Sequence, residues 1–325
     1  MAEPDRLYAA ISKIVGSRAA PPRLKDGTAS LILDVTGLDQ KTRDAMADAA
    51  KQALLALPDV TDVRIAMTSE KRERRLIAVG SGKGGVGKST LAANLAVALQ
   101  RLGRKVGLVD ADIYGPSVPR LMSAEGTRPV AEDQKLLPVG TKFGVPILSM
   151  GQLVKPGQAI AWRGPMAGNA LGQLIDAGWG EIDTLIVDLP PGTGDVQLSM
   201  LQKHKPAGAV IVSTPQDLAL IDAARAVDLF TQANIPIVGL IENMAGYACP
   251  HCGQISDPFG AGGAQAAAAA MGLDFLGRVP LEIAIRQASD AGEPPAAHDG
   301  FAGAPFRALA EKLNAWLDRN HNERV

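Results

Sequence analysis

From Leu76 onward the chain is punctuated by short apolar runs of strand length: Leu76–Val79, Val106–Val109, Ile147–Met150, Thr184–Val187, Ala209–Ser213 and Ile237–Ile241. Runs without polar alternation are what strands buried on both faces require. Between them lie stretches with helical spacing: Thr90–Leu102, Gly168–Ala177, Leu218–Ala233 and Phe306–Arg319. This alternation predicts an α/β fold with a doubly wound, mostly parallel sheet. The alanine run Gln265–Ala270 fits one more helix, packed tightly through small side chains. In such sheets ligands sit beyond the carboxyl ends of the strands, so the residues after each apolar run are where chemistry is expected.

Residues 1–68 carry a different pattern. Asp5–Val15 has apolar residues at helical spacing, Ala29–Val35 reads as a short strand, and Thr42–Leu57 as a helix that stops before Pro58. Val60–Met67 alternates through Val63, Ile65 and Met67, as a half-buried strand does. The predicted order is α–β–α–β, a small α+β module. The charged run Ser69–Arg75 predicts a solvated linker, with a basic contact surface as the alternative. The expected plan is a module over 1–68, a linker over 69–75 and a large domain over 76–325.

Composition narrows the partners. Hydrophobic residues make up 46% of the 325 positions but aromatics only 4%, so the core is built from Ala, Val, Leu and Ile. Lys and Arg number 33 against 34 Asp and Glu. That balance argues against a broad polyanion surface, so no nucleic-acid partner is expected. No apolar run of about 18–20 residues is present to cross a bilayer, and no membrane partner is expected. The start of the chain shows no basic segment followed by an apolar one, as a signal peptide would. With only two cysteines, a disulfide framework is not indicated, and a cytoplasmic location is expected.

The strongest chemical signal follows the first apolar run. Gly80–Thr90 (GSGKGGVGKST) meets the phosphate-loop pattern at Gly82, Gly87, Lys88 and Ser89, with a strand before it and a helix after it. Gly82, Gly84, Gly85 and Gly87 let the backbone turn and present N–H groups to phosphate oxygens, with Val86 between them and Thr90 opening the helix. The positive end of that helix adds to the attraction. Lys88 is placed to reach the β- and γ-phosphates, and the Ser89 hydroxyl to bind Mg²⁺. Lys83, a second lysine in the loop, either points to solvent or reaches across a dimer interface to the partner's nucleotide.

Two further strands end in carboxylates: Val106–Asp110 continues to Asp112, and Thr184–Asp188 is followed by Leu189-Pro190-Pro191-Gly192. Asp188 fits the Mg²⁺ side of the site, and Asp112 a residue that positions the attacking water or holds Mg²⁺ through water. Pro190–Gly194 suits a loop that senses the γ-phosphate. Asn243, after the strand Ile237–Ile241, offers a donor and an acceptor, which suits an adenine edge or a turn cap.

Cys249 and Cys252 stand in Cys249-Pro-His-Cys252-Gly, a turn that directs two thiolates at one metal. One chain therefore supplies two soft ligands, whereas Zn²⁺ or an iron–sulfur cluster usually takes four. A symmetric homodimer would supply the other two. A redox dithiol or a pair of unliganded thiols is the alternative, and spacing does not separate Zn²⁺ from iron and sulfur.

Taken together these residues resemble a known family. Gly82–Thr90, with its extra lysine at Lys83, looks like the deviant phosphate loop of the MinD/ParA-type ATPases. Asp110–Ser117, Asp188–Asp195 and Cys249–Cys252 are similar to the Mrp/ApbC iron–sulfur cluster carriers over residues 76–320. The resemblance implies a homodimer that binds ATP with Mg²⁺ and hydrolyses it slowly. It implies catalytic roles for Lys83, Lys88 and Asp112, with Lys83 acting on the opposite subunit. Ser89 and Asp188 would lie at Mg²⁺, Asn243 at adenine, and Cys249 and Cys252 at a shared [4Fe–4S] cluster. An upstream cluster donor and recipient apo-proteins would be the partners. Residues 1–68 resemble weakly the small module often fused ahead of these ATPases, but lack the cysteine many such modules carry. A MinD/ParA-like positioning ATPase and a dimer stapled by Zn²⁺ are the competing expectations.

Overall fold

The computed structural model describes residues 3–322 except 37, 39, 69–73, 114, 133, 154–163 and 193. The chain divides into two compact units, Met1–Glu73 and Arg74–Val325.

In the first unit, helices α1 (Glu3–Val15) and α2 (Gln40–Leu55) pack on a sheet of β1 (Arg23–Lys25), β2 (Thr28–Asp34) and β3 (Asp62–Thr68). Strand β2 alternates as half-buried strands do: Ala29, Leu31 and Leu33 join Leu7 and Ile11 of α1 and Ala50 and Leu54 of α2 in one core. The order is α–β–β–α–β, which corrects the α–β–α–β expectation. The added strand β1 pairs antiparallel with β2 through the two-residue turn Asp26-Gly27, both left-handed (φ 49° and 77°).

The second unit begins inside the charged run. Arg74 Nε donates to the Ile182 carbonyl at 3.2 Å, and an Arg75 guanidinium nitrogen to the Leu317 carbonyl at 2.5 Å. These two arginines belong to the folded body; residues 69–73 of the expected linker lie outside the described residues.

Seven parallel strands form the central sheet in the order β14-β11-β10-β4-β9-β5-β8. They are β4 (Arg75–Gly80), β5 (Val106–Asp110), β8 (Ile147–Ser149), β9 (Thr184–Asp188), β10 (Gly208–Ser213), β11 (Ile237–Asn243) and β14 (Phe275–Val279). Two short antiparallel pairs lie outside it: β6 (Ala131–Glu132) with β7 (Lys135–Leu136), and β12 (Tyr247–Ala248) with β13 (Ile255–Ser256). One face is covered by α3 (Lys88–Arg101), α4 (Val118–Leu121), α9 (Ile283–Asp290) and α10 (Ala304–Asn322). The other is covered by α5 (Gly164–Ile175), α6 (Asp195–His204), α7 (Asp217–Gln232) and α8 (Gly263–Ala270). Along β4, Ile77 and Val79 enter the first core while Leu76 and Ala78 enter the second, which is why the strand reads as continuous apolar sequence.

The expected strands and helices are all present, two of the strands reaching the polar residues Asp188 and Asn243. Strand β14, helices α4, α6 and α9, and the short strands β6, β7, β12 and β13 are additional. Helix α10 buries Phe306, Leu309, Leu313 and Leu317, so its apolar stripe packs on the sheet. No helix among the described residues is long and apolar enough to cross a membrane.

Candidate functional site

Central strand β4 delivers the phosphate loop, and α3 departs from it. Gly87 is the residue before the helix and is left-handed (φ 81°), as is Gly85. The first helical bond runs from the Leu91 N–H to the Gly87 carbonyl at 3.0 Å. The N–H groups before it have no partner within the helix, the arrangement that binds anions. Gly82 is demanded by packing: a Cβ there would lie 1.9 Å from the Asp222 carbonyl oxygen of α7. A cavity of about 250 Å³ opens over Lys83–Thr90, lined also by Asp112, Gly115 and Pro191.

Strands β4, β9 and β5 lie side by side, and Asp188 and Asp110 are register partners at the ends of β9 and β5. Lys88 forms a buried ion pair with Asp188 Oδ1. Asp188 Oδ2 is buried and has no hydrogen-bond partner among the described residues. Burial pushes the Asp188 carboxyl up, while Lys88 and the Ser89 hydroxyl pull it back. The Mg²⁺ expected here fits this donor set, because an unpartnered carboxylate oxygen and a serine hydroxyl on the same carboxylate are hard oxygen ligands.

Asp112 is buried at the cavity, where it accepts the Gly115 N–H at 3.2 Å. Asp110, two residues earlier, is more deeply placed. It accepts the Ser149 hydroxyl at 2.9 Å and the N–H groups of Asp112 and Val118 at 3.1 and 3.2 Å. Burial, with the Asp188 charge behind it, pushes its pKa up to about 7. Sequence reasoning assigned Asp110 no role; its place as the first carboxylate after the apolar run was the available signal.

Lys83 is half-buried on the cavity wall and makes no ion pair among the described residues. Downstream of Asp188, the Leu189 N–H bonds to Val79 O and the Gly192 N–H to Ser81 O, both at 3.1 Å. The Gln197 amide donates to Pro190 O. The segment expected to sense the γ-phosphate is thus laced to the phosphate loop, and Gln197 is a second residue that sequence reasoning missed. Thr193 lies outside the described residues.

Asn243 is buried beneath the phosphate loop, and its Nδ2 donates to Val86 O at 2.8 Å. Its neighbour Glu242, wholly buried, accepts from the Ala264 N–H at 2.8 Å and from Arg278 Nε at 2.9 Å. Sequence reasoning also missed Glu242.

Six residues beyond Asn243, the β12–β13 hairpin presents Cys249 and Cys252, both free, with Cys252 exposed. The Cys249 N–H bonds to Gln254 O at 3.0 Å and the Gly253 N–H to Cys249 O at 2.8 Å, closing the turn. The backbone N–H groups of His251 and Cys252 point at the Cys249 sulfur and draw its pKa down. Such N–H···S bonds stabilise a thiolate, the form that ligates metal. Among the described residues no third histidine, cysteine or carboxylate joins them, so His251 is not gathered into a three-ligand group.

A phosphate loop on the central strand of a doubly wound parallel sheet, with acidic ends on the strands beside it, defines a P-loop nucleoside triphosphatase. The family model described as "ParA: NUBPL iron-transfer P-loop NTPase" matches residues 72–314, and the chain belongs to that family. An "Iron-sulfur cluster carrier protein" of Deinococcus radiodurans is 47% identical over 276 residues, 81% of this chain and 78% of that protein. An "Iron-sulfur protein required for NADH dehydrogenase, mitochondrial" of Arabidopsis thaliana is 51% identical over 67% of this chain and 70% of that one. Among solved structures, a nucleotide-binding protein of Archaeoglobus fulgidus in complex with ADP superposes with a TM-score of 0.60. It is 40% identical and covers 69% of this chain and 88% of that chain.

Proposed function

We propose that the protein is an ATP-dependent iron–sulfur cluster carrier. The observation that carries this reading is the hairpin turn that sets Cys249, its thiol pKa drawn down by backbone N–H groups, beside exposed Cys252, in a chain that also has a complete phosphate loop. The names of the relatives support it. Two thiolates per chain make half a tetrahedral or cluster site, so a twofold homodimer would supply four. The cargo in this reading is a [4Fe–4S] cluster, received from an upstream donor and released to apo-proteins. An exposed turn suits a cluster that has to leave again. A cytoplasmic, reducing location belongs to the same reading, since the thiols have to stay free.

ATP binds in the cavity over Lys83–Thr90. Ser89 and Asp188 would hold Mg²⁺, which would supply charge neutralisation at the phosphates. Lys88 leaves Asp188 for the phosphate oxygens, and Asp112 orients water for slow hydrolysis. Positioning and charge stabilisation are enough for this transfer, with no covalent intermediate. Lys83, which has no ion-pair partner among the described residues, would meet the phosphates of the opposite subunit in this reading.

The test is anaerobic reconstitution with iron and sulfide, reading the absorption spectrum and iron per dimer. A cluster that Cys252→Ala abolishes is expected. Zn²⁺ alone in protein purified without air would replace the cluster with a structural staple. A positioning ATPase of the MinD/ParA kind is the weaker reading, because the α10 stripe it would use on a membrane is buried. For the dimer, sedimentation with ATP should show association that Lys83→Ala reduces.

A further inference from the structure

We infer that Asn243 is a positioning residue for phosphate binding: by holding the Val86 carbonyl it aims the Gly87 N–H into the phosphate cavity. Val86 C=O and Gly87 N–H belong to one peptide unit, and no peptide bond among the described residues is cis. In a planar trans peptide the C=O and N–H point in opposite directions. Fixing one fixes the other. Asn243 Nδ2 holds the carbonyl at 2.8 Å from below, and Gly87 lines the cavity above. The Gly87 N–H has no acceptor among the described residues.

The brace is rigid. Asn243 ends β11, which pairs on both sides, with β10 and β14. Adjacent Glu242 is locked by Arg278 Nε at 2.9 Å and by the N–H groups of Gly262 and Ala264 at 3.2 and 2.8 Å. Asn243 and Gly87 also fit each other closely, for a Cβ at Gly87 would lie 2.2 Å from Asn243 Nδ2. One of the two amide N–H bonds is thereby committed to the loop. The inference rests on the nucleotide reading above and deepens it: through the Val86–Gly87 peptide Asn243 serves the phosphates, a contribution in which the base takes no part.

The experiment measures equilibrium binding of ATP, GTP and inorganic tripolyphosphate, each with Mg²⁺, to wild type, Asn243→Ala and Asn243→Asp. Losing one hydrogen bond that orients a phosphate donor is expected to weaken all three probes alike, by about tenfold in Asn243→Ala. Asn243→Asp keeps the shape but sets a carboxylate against the Val86 carbonyl oxygen, so it should weaken all three further. Thermal melts in parallel report whether each variant is folded; the isosteric Asp variant keeps the comparison available if Ala is not. A loss confined to ATP, with tripolyphosphate unchanged, would make Asn243 a base reader and overturn the inference. Unchanged binding of every probe would overturn it too. Wild-type protein that bound none of them would sink this inference together with the nucleotide reading.

Discussion

The Lys88 ammonium rests on Asp188 Oδ1 inside the protein, with 6% of the lysine side chain and none of the aspartate exposed. In the proposed nucleotide site the lysine that would hold phosphate thus rests on the carboxylate that would hold Mg²⁺, and binding of both ligands would separate the pair. Lys88→Ala removes the phosphate contact and should weaken ATP binding by about 100-fold, the scale of one or two charge-assisted bonds. It also strands Asp188. Left ionised, an unpaired buried carboxylate costs about 3–5 kcal/mol. Asp188 instead takes up a proton, since burial already pushes it up. The folded variant then binds a proton that the unfolded chain releases, so its stability falls as pH rises. Urea unfolding should show a deficit against wild type that grows as pH rises above the ordinary carboxylate range. Intact ATP hydrolysis in this variant would contradict the site.

Two loop glycines separate packing from flexibility. At Gly82 an added methyl meets the Asp222 carbonyl carbon and oxygen at 2.0 and 1.9 Å, and backbone on both sides has no room to give. At Gly84 the nearest atoms are those of Pro191 at 3.9 Å, an ordinary contact. Gly82→Ala should cost about 3 kcal/mol, the upper range for overpacking. Gly84→Ala should stay within about 0.5 kcal/mol. Denaturation midpoints of the two variants, side by side, check the contrast.

The phosphate loop, the acidic strand ends and the cysteine turn were legible because each is local: glycines, lysine and serine at fixed spacing, or two cysteines in one turn. Strand β14 was not, because Gly277 and Arg278 interrupt its apolar run even though it lies in the sheet. Strand β1 has only three residues, yet its turn, Asp26-Gly27, is the strongest short hairpin signal and deserved weight. Asp110 and Asp188 meet because β9 slots between β4 and β5, a neighbourhood set by tertiary packing. Asn243 suited an adenine edge by chemistry alone. That its amide would hold Val86, 157 positions earlier, depends on β11 ending under the loop.

The cysteine turn makes a prediction that needs no cluster. The Cys249 sulfur receives the His251 and Cys252 N–H groups and sits low for a thiol. In metal-free, reduced protein, alkylation by iodoacetamide should rise with pH to a plateau, with the Cys249 inflection below the free-thiol value of about 8.5. Mass spectrometry of each peptide across pH 6–9 reads this residue by residue. A Cys249 inflection at or above the free value would remove the N–H···S account of the turn.

The wholly buried Asp110 carboxylate gives a sharp dependence on pH. Asp110 is wholly buried with its pKa pushed up to about 7, first by burial and then by the charge of Asp188. Its unfolded value is about 3.9. Between those values the folded protein holds a proton that the unfolded chain has lost, so stability declines as pH rises from about 4 to 7 and levels off above. Three pKa units correspond to about 4 kcal/mol. Asp110→Asn removes the titration but not without cost. Its amide cannot accept at both oxygen positions, so one of the Asp112 and Val118 N–H groups loses its partner, about 1–3 kcal/mol. The two effects have opposite pH profiles. At pH 5 wild-type Asp110 is protonated and uncharged, and the variant should be the less stable of the two. At pH 8 wild type carries the buried charge, and the gap should close or reverse. Urea denaturation of both proteins at pH 5, 6, 7 and 8 measures this crossing; parallel curves across the range would mean that Asp110 does not titrate in it.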